Sequence, residues 1–294
     1  MIAIDWGSSS LRAFRLDERG HVVDSRRSDQ GVLASTGRFE EVLLHILDGW
    51  DERSVVMAGM VGSRQGWREV AYVECPAGLE EIAAQMTRVD AQVLGDREVW
   101  IVPGLSVLGD NGVHDVMRGE ETQICGLLDQ LGPGAHWACL AGTHCKHILI
   151  EDGRIRRFAT AMTGELFQVL SEHSILGRLM QPGPHDPHAF VQGVDHAGLE
   201  GGLLDHLFAV RTHGLFGVLP AQGLQSFLSG LLIGHELKQL PASARTVHLV
   251  AAPSLLEPYR SALTQRGHAI EAHSELVSAR GLYALARQRG VLDS

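Results

Sequence analysis

The sequence predicts a mixed α/β fold, and three observations carry that prediction. Short apolar runs of strand-forming residues alternate with stretches whose apolar residues recur at helical spacing. The 294 residues suffice for one large or two medium domains that bury roughly three quarters of the unfolded surface. A strand-turn-strand unit at the start of the chain recurs weakly in its second half.

In chain order, residues 2–5 form an apolar strand that delivers Asp5 into the turn Gly7-Ser8-Ser9-Ser10. Gly7 lets the backbone turn where a side chain would collide, and the serines offer hydroxyls and amides to phosphoryl oxygens. Residues 11–16 return as a second strand, and Asp17-Glu18-Arg19-Gly20 closes a hairpin. The same residues also suit a plain polar turn around one aspartate. No G-x-x-x-x-G-K-[ST] and no G-x-G-x-x-G occurs, so a returning strand, not a helix, follows this grip.

Further strands are predicted at 21–26, 55–60 and 99–102, with helices at 39–50 and 79–88 between them. A polar, glycine-containing stretch follows Pro103-Gly104 and runs to Gly119. A helix over 120–128 then opens on acidic residues, as the helix macrodipole prefers, and a domain boundary is drawn there, giving segments 1–119 and 120–294. The repeat comes next: Trp137-Ala138-Cys139-Leu140-Ala141 runs into Gly142-Thr143-His144, followed by a strand over 147–150, the turn Glu151-Asp152-Gly153 and a return to about 161. Matching Gly7-Ser8 to Gly142-Thr143 brings the two hairpin turns into near register, as expected of two copies that each hold part of one polyphosphate. The remainder is mostly helical, over 164–173, 189–199, 203–211 and 224–240. A strand over 247–251 leads through Ala252-Pro253-Ser254 into a helix over 255–266, then a short strand near 268–272 and a closing helix over 276–289. Residues 177–187, rich in Gly, Pro and His, are expected to be a mobile surface loop.

Bulk properties exclude several classes. A formal net charge of −10 argues against a broad nucleic-acid surface, because duplex binding needs clustered cations. The one dense basic group, Arg154 with Arg156 and Arg157, follows a probable turn and suits a solvated strand edge. An anionic ligand would have to be drawn by local cations and a bound metal. The four cysteines have no C-x-x-C spacing, which predicts reduced thiols in a cytoplasmic protein and no zinc ribbon. No 18-residue apolar run and no basic-then-apolar leader is present, so neither a membrane span nor a signal peptide is expected.

Six ordered segments carry a family resemblance: Ala3-Ile4-Asp5-Trp6-Gly7-Ser8, Val56-Met57-Ala58-Gly59-Met60-Val61-Gly62-Ser63, Val116-Met117-Arg118-Gly119-Glu120-Glu121-Thr122-Gln123, Gly142-Thr143-His144-Cys145-Lys146, Met162-Thr163-Gly164-Glu165-Leu166 and Phe227-Leu228-Ser229-Gly230-Leu231-Leu232-Ile233-Gly234. Together they resemble the sugar-kinase branch of the actin, Hsp70 and hexokinase superfamily, and more closely the 2-dehydro-3-deoxygalactonokinase family. The resemblance implies two ribonuclease-H-like lobes around a nucleotide cleft, ATP with Mg²⁺, and phosphorylation of the terminal hydroxyl of a 2-keto-3-deoxy sugar acid. It makes 1–119 the N-terminal lobe and 120–294 the C-terminal lobe, with the closing helix able to pack back toward the first. Two departures stand out. The second phosphate segment has Leu140 where the first has Asp5, and the adenosine segment, usually glycine-rich, is Ala251-Ala252-Pro253-Ser254.

On that basis Asp5 is expected to hold Mg²⁺ through water, and Gly7, Ser8, Ser9, Gly142, Thr143 and His144 to contact phosphates. Phosphoryl transfer needs an aligned hydroxyl, screened charge and a proton acceptor. Glu121 is favoured as acceptor, with Glu120 close behind and Asp115 third; capping of the helix is the alternative role for the pair. An arginine is the natural bidentate partner of the acceptor's carboxylate, and Arg118 and Arg64, the latter after Gly62 and Ser63, are the candidates. Thr163 and Glu165 would close the sugar pocket, and adenine would lie near Ala252, Pro253 and Ser254. His144, Cys145 and His147 are close in sequence, but neighbours on a strand face opposite sides, so a shared zinc is awkward. The expected partners are ATP and a small sugar acid, with no nucleic acid and no membrane, and homo-oligomerisation left open. A same-fold kinase for another sugar, or a nucleotide-binding regulator without turnover, are the alternatives.

Overall fold

The computed structural model describes residues 1–109 and 111–292. Its elements follow one another as β1 (Ile2–Trp6), β2 (Leu11–Leu16), β3 (Val22–Ser28), α1 (Val32–Ser35), α2 (Phe39–Ile46), β4 (Ser54–Gly59), β5 (Val73–Glu74), α3 (Leu79–Ala84), β6 (Thr87–Val89), β7 (Glu98–Ile101), β8 (Leu105–Leu108), β9 (His114–Met117) and α4 (Glu120–Cys125). The chain continues through β10 (Ala135–Ala141), β11 (Cys145–Glu151), β12 (Arg154–Ala161), α5 (Thr163–His173), α6 (Pro187–Ala197), α7 (Leu203–Leu215), α8 (Leu224–Glu236), β13 (Thr246–Ala251), α9 (Pro253–Gln265), β14 (Ala269–His273) and α10 (Val277–Arg289). These elements divide into two compact units, Met1–Ala135 with Ile148–Phe158 and Glu275–Ser294, and His136–His147 with Ala159–Ser274.

In the first unit a six-stranded sheet runs β3-β2-β1-β4-β7-β6. β1 is antiparallel to β2 and parallel to β4, which in turn is parallel to β7. β1 and β4 are almost continuous apolar runs because helices cover both faces of a parallel sheet. Ile2, Ile4, Val55, Met57, Val99 and Ile101 are fully buried in its core, with Trp6 edge-on to Phe39 at 5.6 Å between ring centroids. The pairing aligns Asp5 with Ala58 and Trp6 with Gly59, so the carboxyl ends of β1 and β4 emerge side by side. α10 crosses α4 closely at Gly281, where an added Cβ would stand 1.8 Å from the Thr122 carbonyl oxygen. Only glycine permits that approach, and the helix it positions begins with Glu120-Glu121.

The polar stretch after Pro103-Gly104 is more ordered than its composition suggests. Val73–Glu74, Leu105–Leu108 and His114–Met117 pair as a small sheet, β5-β8-β9. The helix expected over 79–88 stops at Ala84, because residues 87–89 pair antiparallel with β7 instead. Backbone pairing outweighs weak helical periodicity there.

A second, five-stranded sheet runs β12-β11-β10-β13-β14, the same order as β3-β2-β1-β4-β7, with β10, β13 and β14 contributing to the second unit. β13 is parallel to both β10 and β14. The expected loop over 177–187 is only partly irregular: residues 177–179 form a 3-10 turn, and Pro187 opens α6. The Asp186 carboxylate accepts from the N–H groups of His188 and Ala189 at that helix start. No helix among the described residues is long and apolar enough to cross a membrane.

Candidate active site

The first turn leaves β1 at Asp5 and is closed by the Gly7 N–H donating to the Ser10 carbonyl at 2.9 Å. Helix α1 braces it from behind. The Val32 N–H donates to the Gly7 carbonyl at 2.9 Å, and Gly31 approaches so closely that an added Cβ would lie 2.3 Å from the Ser8 carbonyl oxygen. Ser8 and Ser9 stay exposed. A fixed backbone with open hydroxyls and amides suits an anion.

Asp5 is not alone at the strand end. Arg12, its register partner on β2, donates from Nη2 to Asp5 Oδ2 at 2.6 Å and also pairs with Glu275 at 3.4 Å. The other oxygen faces two glycines. An added Cβ on Gly59 would stand 3.4 Å from Asp5 Oδ1 and 2.7 Å from the Trp6 carbonyl oxygen, and one on Gly119 would stand 3.3 Å from the Gly59 Cα. Both glycines have positive φ, +93° and +108°, which makes other residues strained there. Backbone packed closely through two glycines therefore links Asp5 to the start of α4.

At that helix start both carboxylates turn back on the chain. Glu120 Oε2 accepts from the Arg118 N–H at 3.0 Å, and Glu121 Oε2 accepts from the Gly119 N–H at 2.6 Å. Each satisfies an amide that the helix leaves unpaired. They differ in exposure: Glu120 is half-buried, whereas Glu121 is wholly buried, with Oε1 lacking a hydrogen-bond partner. Desolvation, followed by the neighbouring Glu120 charge, pushes the Glu121 carboxyl up to about 8. Asp115 stands on β9, accepting from the Val116 N–H at 2.7 Å.

Arg118 lies beside this pair. Its guanidinium sits 4.4 Å over the Tyr72 ring and donates from Nη2 to the Val70 carbonyl at 2.7 Å, while buried Nε and Nη1 have no partner. Gly62 makes room for it, since a Cβ there would be 2.8 Å from Nη1. Next to it, the Ser63 hydroxyl donates to the Met60 carbonyl at 2.7 Å. Arg64, by contrast, has its side chain 88% exposed and 3.6 Å from Glu69. The fold thus brings Arg118, and not Arg64, against Gly62.

The second turn belongs to the other unit. β10 ends at Ala141, in register with Ala251, so Gly142 and Ala252 leave neighbouring strand ends together. Thr143 and His144 are exposed, and α5 braces the turn: the Glu165 N–H donates to the Thr143 carbonyl at 3.1 Å, and a Cβ on Gly164 would lie 2.5 Å from the Gly142 carbonyl oxygen. Thr163 is buried at the helix start, and the Glu165 carboxylate pairs with His144 Nε2 at 2.5 Å. Pro253 and Ser254 are exposed at the first turn of α9. Beneath, a buried chain runs from the Cys145 thiol to the Tyr259 hydroxyl at 2.9 Å, on to Glu236 at 2.7 Å and to His147 at 2.8 Å. His144 thus points to solvent while Cys145 and His147 are buried, which does not make the shared zinc site that their sequence spacing raised.

Sequence reasoning missed Arg12, Gly31 and the close approach of Gly119 to Gly59. Gly59 was inside a quoted motif, and Arg12 is on the strand that closes the first hairpin, but their contacts depend on register.

A family model described as 2-keto-3-deoxy-galactonokinase matches residues 5–285. The chain is 40% identical over 272 residues to the 2-dehydro-3-deoxygalactonokinase of Escherichia coli (strain K12), covering 90% of each. A crystal structure of a putative 2-dehydro-3-deoxygalactonokinase from Sinorhizobium meliloti matches with a TM-score of 0.88 and 35% identity, covering 97% of this chain and 98% of that one. The activator of the 2-hydroxyisocaproyl-CoA dehydratase from Clostridium difficile, solved with ADPNP, matches with a TM-score of 0.52 and 12% identity, covering 100% and 97%, a likeness of fold alone. With the paired sheet orders, these place the chain in the actin/hexokinase-type ATPase fold.

Proposed function

This chain belongs to the 2-keto-3-deoxy-galactonokinase family, and from that premise we propose that it moves the γ-phosphoryl group of ATP to the terminal hydroxyl of 2-dehydro-3-deoxy-D-galactonate, giving the 6-phosphate and ADP in galactonate catabolism. The meeting of Asp5, Gly59, Gly119 and the acidic start of α4 within one unit supports this reading most directly.

Glu120 takes the proton. Its carboxylate is half-buried, which leaves it within reach of an acceptor hydroxyl, whereas Glu121 is enclosed and favours its neutral form. Glu121 is then a positioning residue that fixes the Gly119 amide and with it the helix start. As the hydroxyl oxygen bonds to phosphorus, its proton passes to Glu120 and the bond to the ADP oxygen breaks. In the first unit Arg118, whose Nε and Nη1 have no partner within the protein, is the cation for the acceptor's carboxylate, beside Gly62 and Ser63; in the second unit Thr163 and Glu165 are the candidate sugar-acid contacts.

The chemistry at Asp5 suits Mg²⁺ held through water: it is a carboxylate at a strand end whose Oδ2 is taken by Arg12 and whose Oδ1 lies on the side of Gly59, where there is no side chain. Such an ion screens phosphate charge when bound. Gly7, Ser8 and Ser9 and, in the second unit, Gly142, Thr143 and His144 hold phosphates by backbone amides and hydroxyls, while Ala252, Pro253 and Ser254 carry adenosine at the start of α9. The acidic net charge and the cysteine spacing support a cytoplasmic setting and a small-molecule substrate over a nucleic acid.

Coupled detection of ADP over a panel of keto-deoxy acid epimers and simple hexoses tests the reaction. Turnover is expected with 2-dehydro-3-deoxy-D-galactonate and Mg²⁺ and not with hexoses. Tight nucleotide binding without turnover on any sugar acid would instead identify a regulator.

A further inference from the structure

Away from both turns, the second unit carries three histidines and a glutamate across neighbouring strands of its sheet. His136 is on β10, His248 on β13, and Glu271 and His273 on β14. Register sets Ala138 and Glu271 opposite His248, and His273 opposite Val250. Since alternate strand residues share a face, all four side chains leave the same side of the sheet. His248 Nδ1 lies 3.1 Å from His273 Nε2 and 3.4 Å from Glu271 Oε2, and the three donor atoms fall within 4.8 Å of one another. The His136 ring stands 5.7 Å from that of His248.

We propose that His248, Glu271 and His273 form a binding site for one divalent transition-metal ion of the zinc class, with water in the fourth position. Two bonds of zinc length meeting near the tetrahedral angle put their donor atoms roughly 3.3–3.5 Å apart, close to the separations observed. One proton on His248 Nδ1 can serve a hydrogen bond, but a single ion engages all three lone pairs at once. The Glu271 side chain is 62% exposed and opens a route from solvent. Imidazole nitrogens suit Zn²⁺, Ni²⁺ or Cu²⁺ and not the Mg²⁺ proposed for Asp5. A bound ion would pin β13 to β14, and β13 runs straight into Ala252-Pro253-Ser254.

Cys139, His147 and Glu236 also lie within 4.8 Å of one another. That cluster is wholly enclosed, whereas the His248 cluster opens to solvent through Glu271.

Titration of the untagged, chelator-treated full chain with Co²⁺ and Zn²⁺, without nucleotide, decides between them. One Co²⁺ per chain is expected, with visible ligand-field absorption and no thiolate charge-transfer band, and Zn²⁺ should raise the unfolding midpoint. His248→Gln and His273→Gln should each weaken binding at least ~10-fold while leaving Mg²⁺-ATP turnover unchanged. Glu271→Gln, at an exposed position, should weaken it without affecting folding even where a histidine variant misfolds. A thiolate band, no binding, or binding unmoved by Glu271→Gln would overturn the proposal.

Discussion

The two turns, Gly7–Ser10 and Gly142–His144, are built alike and furnished differently. Each follows the strand that is third in the shared sheet order, and each is braced by a helix start through a close-packed glycine, Gly31 or Gly164. The difference lies one residue before the strand end. The first copy has Asp5 there, paired to Arg12, with Gly59 on the neighbouring strand; the second has buried Leu140, with Ala251 in place of Gly59. The first thus carries a charged pair beside closely packed glycine backbone, and the second an apolar strand end beneath exposed hydroxyl and imidazole. The two sheets thus share a strand order and a glycine-braced turn, but only the first has an acid at the strand end.

Alanine at the glycine of each copy probes that asymmetry most strongly. Gly59→Ala places a Cβ against the Trp6 carbonyl and beside Asp5 at a strained φ, and should lower kcat by roughly 10²-fold or more. Gly142→Ala meets nothing within 4 Å, and its unfolding free energy should stay within about 0.5 kcal/mol of the parent. Similar large losses of stability at both sites would mean that the second turn is as tightly walled as the first.

A smaller effect is expected at Arg118. Arg118→Lys keeps the charge but not the fork, so KM for the sugar acid should rise about 10-fold with KM for ATP little changed. Equal loss for both substrates would assign this arginine to phosphate.

A readout independent of turnover is stability against pH. Because Glu121 binds its proton more tightly folded than unfolded, the folded state holds the extra proton between the ordinary carboxylate range and about 8. Its contribution is therefore complete at low pH and falls as pH rises through that window, by up to about 1.4 kcal/mol per pH unit. Denaturant unfolding of Glu121→Gln from pH 5 to 8 should show a flatter dependence than the parent. An unchanged slope would place the titration elsewhere.

Much of this was legible in the chain. Apart from β6, which lies at the end of an expected helix, the strands of the two larger sheets, the order of the turns and the acidic helix start follow from apolar runs, glycine-hydroxyl turns and charge placement, all local properties. The sheet β5-β8-β9 was not, because strands of two to four residues with exposed polar positions leave no periodicity to detect. Nor was the split between Glu120 and Glu121. Sequence favoured Glu121, and adjacent identical residues at a helix start differ only in what the rest of the fold packs over them. The Arg12 pairing likewise required the hairpin register, and the approach at Gly281 required two helices far apart in sequence.

Pre-steady-state turnover of Glu120→Gln beside Glu121→Gln, both checked for native circular dichroism and ATP affinity, tests the assigned proton acceptor directly. Glu120→Gln should slow phosphoryl transfer by roughly 10²-fold or more with ATP binding intact, and Glu121→Gln should slow it far less. A full-rate Glu120→Gln together with an inactive, folded Glu121→Gln would contradict the assignment.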